Sequence, residues 1–269
     1  MLWVIVAITP SIISFLTISA AGSELSDSCV ISNDEITPYY KKGFNSNTNR
    51  PLFAILNPEL TYSVSKFQTG CGIVDILMHT IERYFTDTPN IEFAKNVSEG
   101  LIKSVIEAGY KAIENPYDYE ARSTLMIASS FSHNGLTGLG GKMYFTVHKL
   151  EHQISGTFDN VAHGAGLSVL FPAWAKWIYK KDLPSFVRFA KNIFNISNGS
   201  DEEIALNGIL TLEDYFKNIG MPTRFSDLGI CEDSFEAMAS RITKNDTVKV
   251  VGFIELDKNA VLEIFNLAK

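Results

Sequence analysis

The sequence predicts a mainly α-helical protein, a bundle of about eight helices behind a short strand-bearing lead-in. Three observations carry the prediction. From Ser65 onward, apolar residues recur at helical spacing. Ahead of Ser65 the apolar runs are short and separated by turn residues, as in Ser46 to Arg50 (SNTNR). Start and stop signals then divide the later part into segments of ordinary helix length.

In chain order, Ile13, Phe15 and Thr17 alternate with other residues as a buried strand does, and Cys29-Val30-Ile31 and Leu52 to Leu56 read as two more strands. Ser65-x-x-Gln68 forms a capping box, in which each side chain can satisfy the other residue's free amide, and a helix runs from there to about Tyr84. Thr88-Pro89 opens the next, since proline at the first helical position loses no hydrogen bond. Ile91, Ala94, Val97, Leu101, Ile102, Val105 and Ala108 mark its apolar face, and Asn115-Pro116 ends it. Further helices are expected over 118–134, 144–156, 163–181 and 184–194. Ser200-x-x-Glu203 is a second capping box, whose helix stops near Gly220 and Pro222, and two more follow near 232–242 and 257–268. Gly138-Leu139-Gly140-Gly141 falls between helices and reads as a turn.

With 269 residues, 46% hydrophobic and 20% charged, the chain is neither disordered, collagen-like nor a polytopic membrane protein. A net charge of −7 excludes a general nucleic-acid binder, which would need a basic footprint. Cys29, Cys71 and Cys231 contain no CxxC and make neither a disulfide framework nor a zinc knuckle; they read as mostly buried free thiols in a reducing compartment, so a cytoplasmic protein is expected. Met1 to Ser23 carries no charge. A signal peptide would place Lys or Arg before its apolar run, and Pro10, Ser11, Ser14 and Thr17 interrupt that run too often for a membrane span.

The chemistry-bearing residues are histidines. Asp75 and His79 are four apart on one helix face, and His148 and His152 repeat that spacing on a later helix. His163 opens the helix after that, among small residues. One aspartate and three histidines suit a divalent ion such as Zn or Fe, although each element alone is common on ordinary helices. His133, at a helix end, reads as structural.

At these residues a family resemblance becomes visible. Gly70 to Glu82 (GCGIVDILMHTIE) resembles the first metal motif of the iron-containing (group III) alcohol dehydrogenases. Val147 to Gly156 (VHKLEHQISG) with Asp159 to Leu167 (DNVAHGAGL) resembles the second. The similarity runs from about Thr17 to Lys269 and is nearest in character to the NADPH-dependent butanol dehydrogenase and aldehyde reductase branch. It implies that Asp75, His79, His148 and His163 are ligands to Fe(II) or Zn(II). It places His152 beside nicotinamide and substrate as a candidate for proton relay. Thr17, Gly22 and Ser23 lie in a segment similar to the family's cofactor turn, Lys41 matches a residue near the cofactor's ribose, and Leu60 one near the nicotinamide end. The implied cofactor is NADP(H), with NAD(H) the alternative. The implied reaction is hydride transfer between nicotinamide and a small primary alcohol or aldehyde, with the metal as Lewis acid. The resemblance recasts the chain as residues 1–60, the remnant of an α/β nucleotide-binding domain, followed by residues 61–269, a multi-helical metal-binding domain. Beyond the substrate, a homodimer is the expected assembly, with no nucleic acid and no membrane.

The chain departs from the family at three places. It lacks the glycine-rich phosphate loop at a helix N-terminus, and so reads as lacking an amino-terminal part. Ala21 replaces the second threonine of the cofactor turn, and the second metal motif carries one extra residue between His152 and His163. Residues 1 to about 12 match the family poorly. Two alternatives therefore stand beside the enzyme reading: a catalytically inactive metal-binding fragment, and a helical interaction module with incidental histidines. Strands without neighbours would also expose apolar surface, so self-association is expected.

Overall fold

One helix organises the molecule. α1 (Lys66–Tyr84) is buried at every position from Thr69 to Tyr84. A helix enclosed on all sides belongs at the centre of a bundle. Around it the computed structural model, which describes residues 12–33, 35 and 40–269, places α2 (Glu92–Glu114), α3 (Tyr119–His133) and α5 (His163–Ile178). α5 in turn packs against α4 (Thr146–Thr157), α7 (Asp201–Asn218) and α9 (Lys258–Leu267). α6 (Leu183–Phe194) lies on α7, and α8 (Phe235–Ile242) on α4 and α9. The described residues thus form nine α-helices. Their shared core is aliphatic along α1, with Ile73, Ile76 and Leu77, and aromatic at its far end, where Phe85, Phe171, Phe186 and Phe189 meet.

Four short strands precede the bundle. β1 (Ile13–Phe15) pairs in parallel with β4 (Phe53–Ile55), Ser14 opposite Ala54. β2 (Ser28–Asn33) pairs antiparallel with β3 (Tyr40–Asn45), Val30 opposite Gly43. The polar stretch between β3 and β4 closes as a 3-10 turn over Asn47–Asn49, capped by Ser46. β1 forms where the alternation predicts it but is not buried: Ile13 and Phe15 are 48% and 62% exposed. The poor family match of residues 1–12 falls almost wholly outside the described residues.

The helix signals operate with two differences. At Ser200 both halves of the capping box form. At Ser65 only one does, the hydroxyl accepting from the Gln68 amide at 3.2 Å. α2 begins at Glu92 rather than at Thr88-Pro89. Two features explain the delay: Asn90 takes a left-handed φ of 61°, which no right-handed helix contains, and Thr88 Oγ1 instead accepts from the Lys142 amide at 2.9 Å. The thiols also differ from expectation, since Cys71 is buried, Cys29 half-buried and Cys231 exposed. Among the described residues no helix is long and apolar enough to cross a membrane.

Candidate metal centre

Three helices converge on one carboxylate oxygen. α1 supplies Asp75 and His79, one turn apart on the same face. α4 supplies His148, and α5 supplies His163 as its first residue. Asp75 Oδ1 lies 3.7 Å from His79 Nδ1, 3.5 Å from His148 Nε2 and 3.6 Å from His163 Nε2. Two donors that share one ion at about 2.1 Å sit roughly 3.4 Å apart in a tetrahedral arrangement, whereas a hydrogen bond would bring them closer. Asp75 Oδ1, His79 Nδ1 and His148 Nε2 are moreover buried and without hydrogen-bond partners. Each such orphan costs about 1–3 kcal/mol unless something satisfies it, so a divalent cation fits this donor set. The ligand atoms of Asp75, His148 and His163 all lie within 4.8 Å of one another, as do those of Glu151, His152 and His163, while His79 reaches the Asp75 oxygen from one side. The close seat of α5 on α1 that brings these donors together depends on Gly164, where a Cβ would lie 2.2 Å from the Cys71 carbonyl oxygen.

Two glutamates orient the rings. Glu82, two turns beyond Asp75 on α1, accepts from His148 Nδ1 at 2.7 Å and from the amides of Val147 and His148 at 2.9 and 3.0 Å. Glu151 on α4 accepts from His163 Nδ1. Because a carboxylate only accepts, both rings carry a proton on Nδ1 and turn Nε2 toward Asp75. His79 has no such partner and is held by stacking, its ring centroid 4.0 Å from His133 and 4.7 Å from His148. His133 is fixed by Arg83 on Nδ1 and Ser28 Oγ on Nε2, each at 3.0 Å. Phe145, just before α4, carries a left-handed φ of 51°, strained for a bulky residue. The Arg83 guanidinium lies 4.6 Å above its ring, and that ring meets the edge of His148.

Burial separates the histidines by charge. It pushes His133 and His152 down to about 4 and His79 well below the usual range, so all three are neutral at pH 7. Burial acts the same way on His148, but Glu82 and Asp75 outweigh it and hold this ring up to about 9. His163 is raised likewise against burial by Glu151. Asp75 would be raised by burial, but His79, His148 and His163 pull it below the usual carboxylate range.

The other expected site residues divide into two groups. His152 stacks on His163 with centroids 5.5 Å apart, and Lys41 Nζ donates to Ser155 Oγ at 2.9 Å, one turn beyond His152. Gly22 lies behind the cluster with φ +62°, where a Cβ would meet the Ser129 carbonyl at 2.4 Å and the His133 Cβ at 3.1 Å. Thr17, Ser23 and Leu60 are exposed and make no hydrogen bond to the histidine cluster. Sequence reasoning gave no role to Glu82, Arg83, Phe145 or Glu151. Two of them carried a signal, since Glu82 follows His79 by three and Glu151 follows His148 by three, on the same helix faces.

A family model described as "Fe-containing alcohol dehydrogenase family, C-terminal" matches residues 69–268. The NADH-dependent butanol dehydrogenase A of Clostridium acetobutylicum is 37% identical over 256 residues, covering 94% of this chain and 65% of that protein. The NADPH-dependent aldehyde reductase YqhD of Escherichia coli is 32% identical over 232 residues, 86% of this chain and 59% of that one. Among solved structures, NADH-dependent butanol dehydrogenase A from Thermotoga maritima superposes with a TM-score of 0.89 at 33% identity, covering 96% of this chain and 66% of that one. The chain therefore spans about 65% of the length of the butanol dehydrogenase it matches.

Proposed function

Because the chain belongs to the Fe-containing alcohol dehydrogenase family, we propose that it binds one Fe(II) or Zn(II) through Asp75, His79, His148 and His163 and interconverts small primary alcohols and aldehydes with NAD(P)H. The observation that carries this reading is the convergence of three histidine nitrogens, at 3.5–3.7 Å, on one buried carboxylate oxygen with no other partner. When bound, the metal supplies Lewis acidity and the nicotinamide gives or takes the hydride.

The chain's own residues then bind and hold protons. Half-buried and neutral, His152 sits against His163 with a ring nitrogen to accept a proton or pass one on. Lys41, fixed on Ser155, brings a cation to the same end of α4 and suits a ribose or phosphate oxygen. Gly22 lets its turn close against α3, presenting Ser23 and, nearby, Thr17 and Leu60 for cofactor contact. In this reading residues 1–60 belong to the cofactor side and 61–269 to the metal side. NADP(H) is the proposed cofactor, with NAD(H) as the alternative; the names of the relatives include both NADH- and NADPH-dependent enzymes. The free thiols Cys29, Cys71 and Cys231 support a cytoplasmic location.

The test is anaerobic oxidation of NADPH and of NADH by butyraldehyde, with protein shown by elemental analysis to hold one metal per chain. Turnover lost in Asp75→Ala and His163→Ala together with the metal is the expected result. Full metal occupancy in both variants refutes the ligand set, and a metal-loaded chain without turnover refutes the enzyme reading.

A further inference from the structure

We propose that Glu151 is the positioning residue for His163 and that Gly166 exists to seat it; the inference rests on the ligand set given above. Glu151 is fully buried on α4, yet its Oε1 has no hydrogen-bond partner. A carboxylate used only for packing would be a costly choice at such a place. Its other oxygen accepts from His163 Nδ1, and this is the only hydrogen bond to that ring among the described residues. Without it the ring could turn about its Cβ–Cγ bond and present Nδ1 or Nε2 toward Asp75. With it, Nε2 is fixed at 3.6 Å from Asp75 Oδ1. His163 needs such a hold, because it opens its helix behind an Ala162 that offers no side-chain cap.

Gly166 follows His163 by one turn on α5. A Cβ there would lie 2.8 Å from Glu151 Cγ and 2.9 Å from Oε1. Glycine inside a helix is unfavourable by about 1 kcal/mol relative to alanine, so its place here calls for a reason. The space it leaves is occupied by the Glu151 side chain. The chain thus devotes two positions, on two helices, to one imidazole ring.

The proposal separates Glu151 from an ordinary stabilising residue. Glu151→Gln keeps shape and volume but removes the charge, and the new amide can offer its N–H₂ in place of an acceptor. Gly166→Ala keeps the carboxylate but displaces it. Metal affinity, measured by competition with a chromophoric chelator, should fall about 10–100-fold in each. The visible absorption bands of the Co(II)-loaded protein should shift in both variants. Melting of the metal-free protein is followed alongside, because loss of the Glu151–His163 contact lowers it by itself and a purely structural role would move this readout alone. Gly100→Ala, at a helix position where a Cβ meets nothing within 4 Å, should leave affinity unchanged. Wild-type affinity and an unshifted Co(II) spectrum in both site variants would overturn the proposal, as would a lower melting temperature of metal-free Glu151→Gln without loss of affinity. Should either variant fail to fold, ¹⁵N-histidine NMR of the Zn-loaded wild type decides alone: His163 must carry its proton on Nδ1, and metal on that nitrogen overturns the assignment. If the wild type retains no metal at all, the ligand set itself falls and this inference falls with it.

Discussion

Replacing Glu82 by alanine should cost the metal-free protein about 3 kcal/mol, and the source of that cost can be separated into parts. Glu82 reaches from α1 to the first turn of α4, where it accepts from the Val147 amide at 2.9 Å, the His148 amide at 3.0 Å and the His148 ring at 2.7 Å. α4 has no cap of its own, because Phe145 at its N-cap position offers no hydrogen-bonding side chain. Glu82 therefore acts as the cap of a neighbouring helix, and losing a cap costs about 1 kcal/mol. Val147 and His148 are both buried, so water replaces the lost acceptor poorly, and each unsatisfied donor adds about 1–3 kcal/mol. Relief from burying a carboxylate offsets part of the sum, which leaves about 3 kcal/mol, or roughly 6–12 °C in melting temperature. Glu82→Gln should cost about half as much, because the oxygen at the Oε1 position keeps both His148 bonds while the amide nitrogen faces the Val147 N–H. Urea denaturation of chelator-treated protein at neutral pH measures both. A loss below about 0.5 kcal/mol in the alanine variant, or equal losses in the two, would refute the view of Glu82 as a cap supplied from another helix.

Other outcomes follow from the same geometry. A metal present at a hundredfold excess over its dissociation constant should stabilise the fold by about 2.7 kcal/mol, so EDTA should lower the wild-type melting temperature by roughly 5–11 °C and leave Asp75→Ala unaffected. In the metal-free protein His148 is raised from 6.5 to about 9, so protonated His148 stabilises that state below pH 6.5 and the contribution is lost as pH rises through 9. The metal must displace this proton, so its affinity should increase over the same interval, and calorimetry in two buffers of different ionisation enthalpy should register proton release; uptake with no proton released would contradict it. The parallel pair of β1 and β4 leaves Ile13, Phe15, Phe53 and Ile55 exposed, whereas parallel strands are ordinarily covered on both faces. Light scattering should therefore detect self-association, and a clean monomer at high concentration would contradict that.

How much of this was legible in the sequence follows from the range of the forces involved. The helices were legible because capping and periodicity are local: Ser200 and Glu203 announce the start of α7 within four residues. The start of α2 was not, because Thr88 is engaged by Lys142, far away in the chain. Asp75, His79, His148, His152 and His163 could be singled out because helical spacing pairs four of them before any tertiary structure is known. The depth of β1 was misjudged because alternation reports which residues face one way and not whether anything covers them. Glu82 and Glu151 lay inside the very motifs that were read, yet their roles depend on which helix each one faces, and spacing within one helix says nothing about that.

Helix-to-helix dependence also explains why the centre is assembled only in the folded chain. Asp75, His79 and Glu82 form a ladder along one face of α1, and His148, Glu151 and His152 form another along α4. A glutamate on each helix serves a ring on the next: Glu82 of α1 holds His148 of α4, and Glu151 of α4 holds His163 of α5. His163 then turns back toward Asp75 of α1, closing the circuit on the helix from which it began. No single helix carries a ligand ring together with the group that orients it, and His79 of α1 is no exception, its ring being steadied by His133 of α3 and His148 of α4. Fraying of α1 or α4 therefore releases a ring on another helix and fraying of α5 releases its own, so metal affinity and the packing of α1, α4 and α5 must rise and fall together. A substitution that loosens the α1–α5 contact without removing a donor, such as Gly164→Ala beside His163, should then weaken the metal as much as the loss of an orienting carboxylate does.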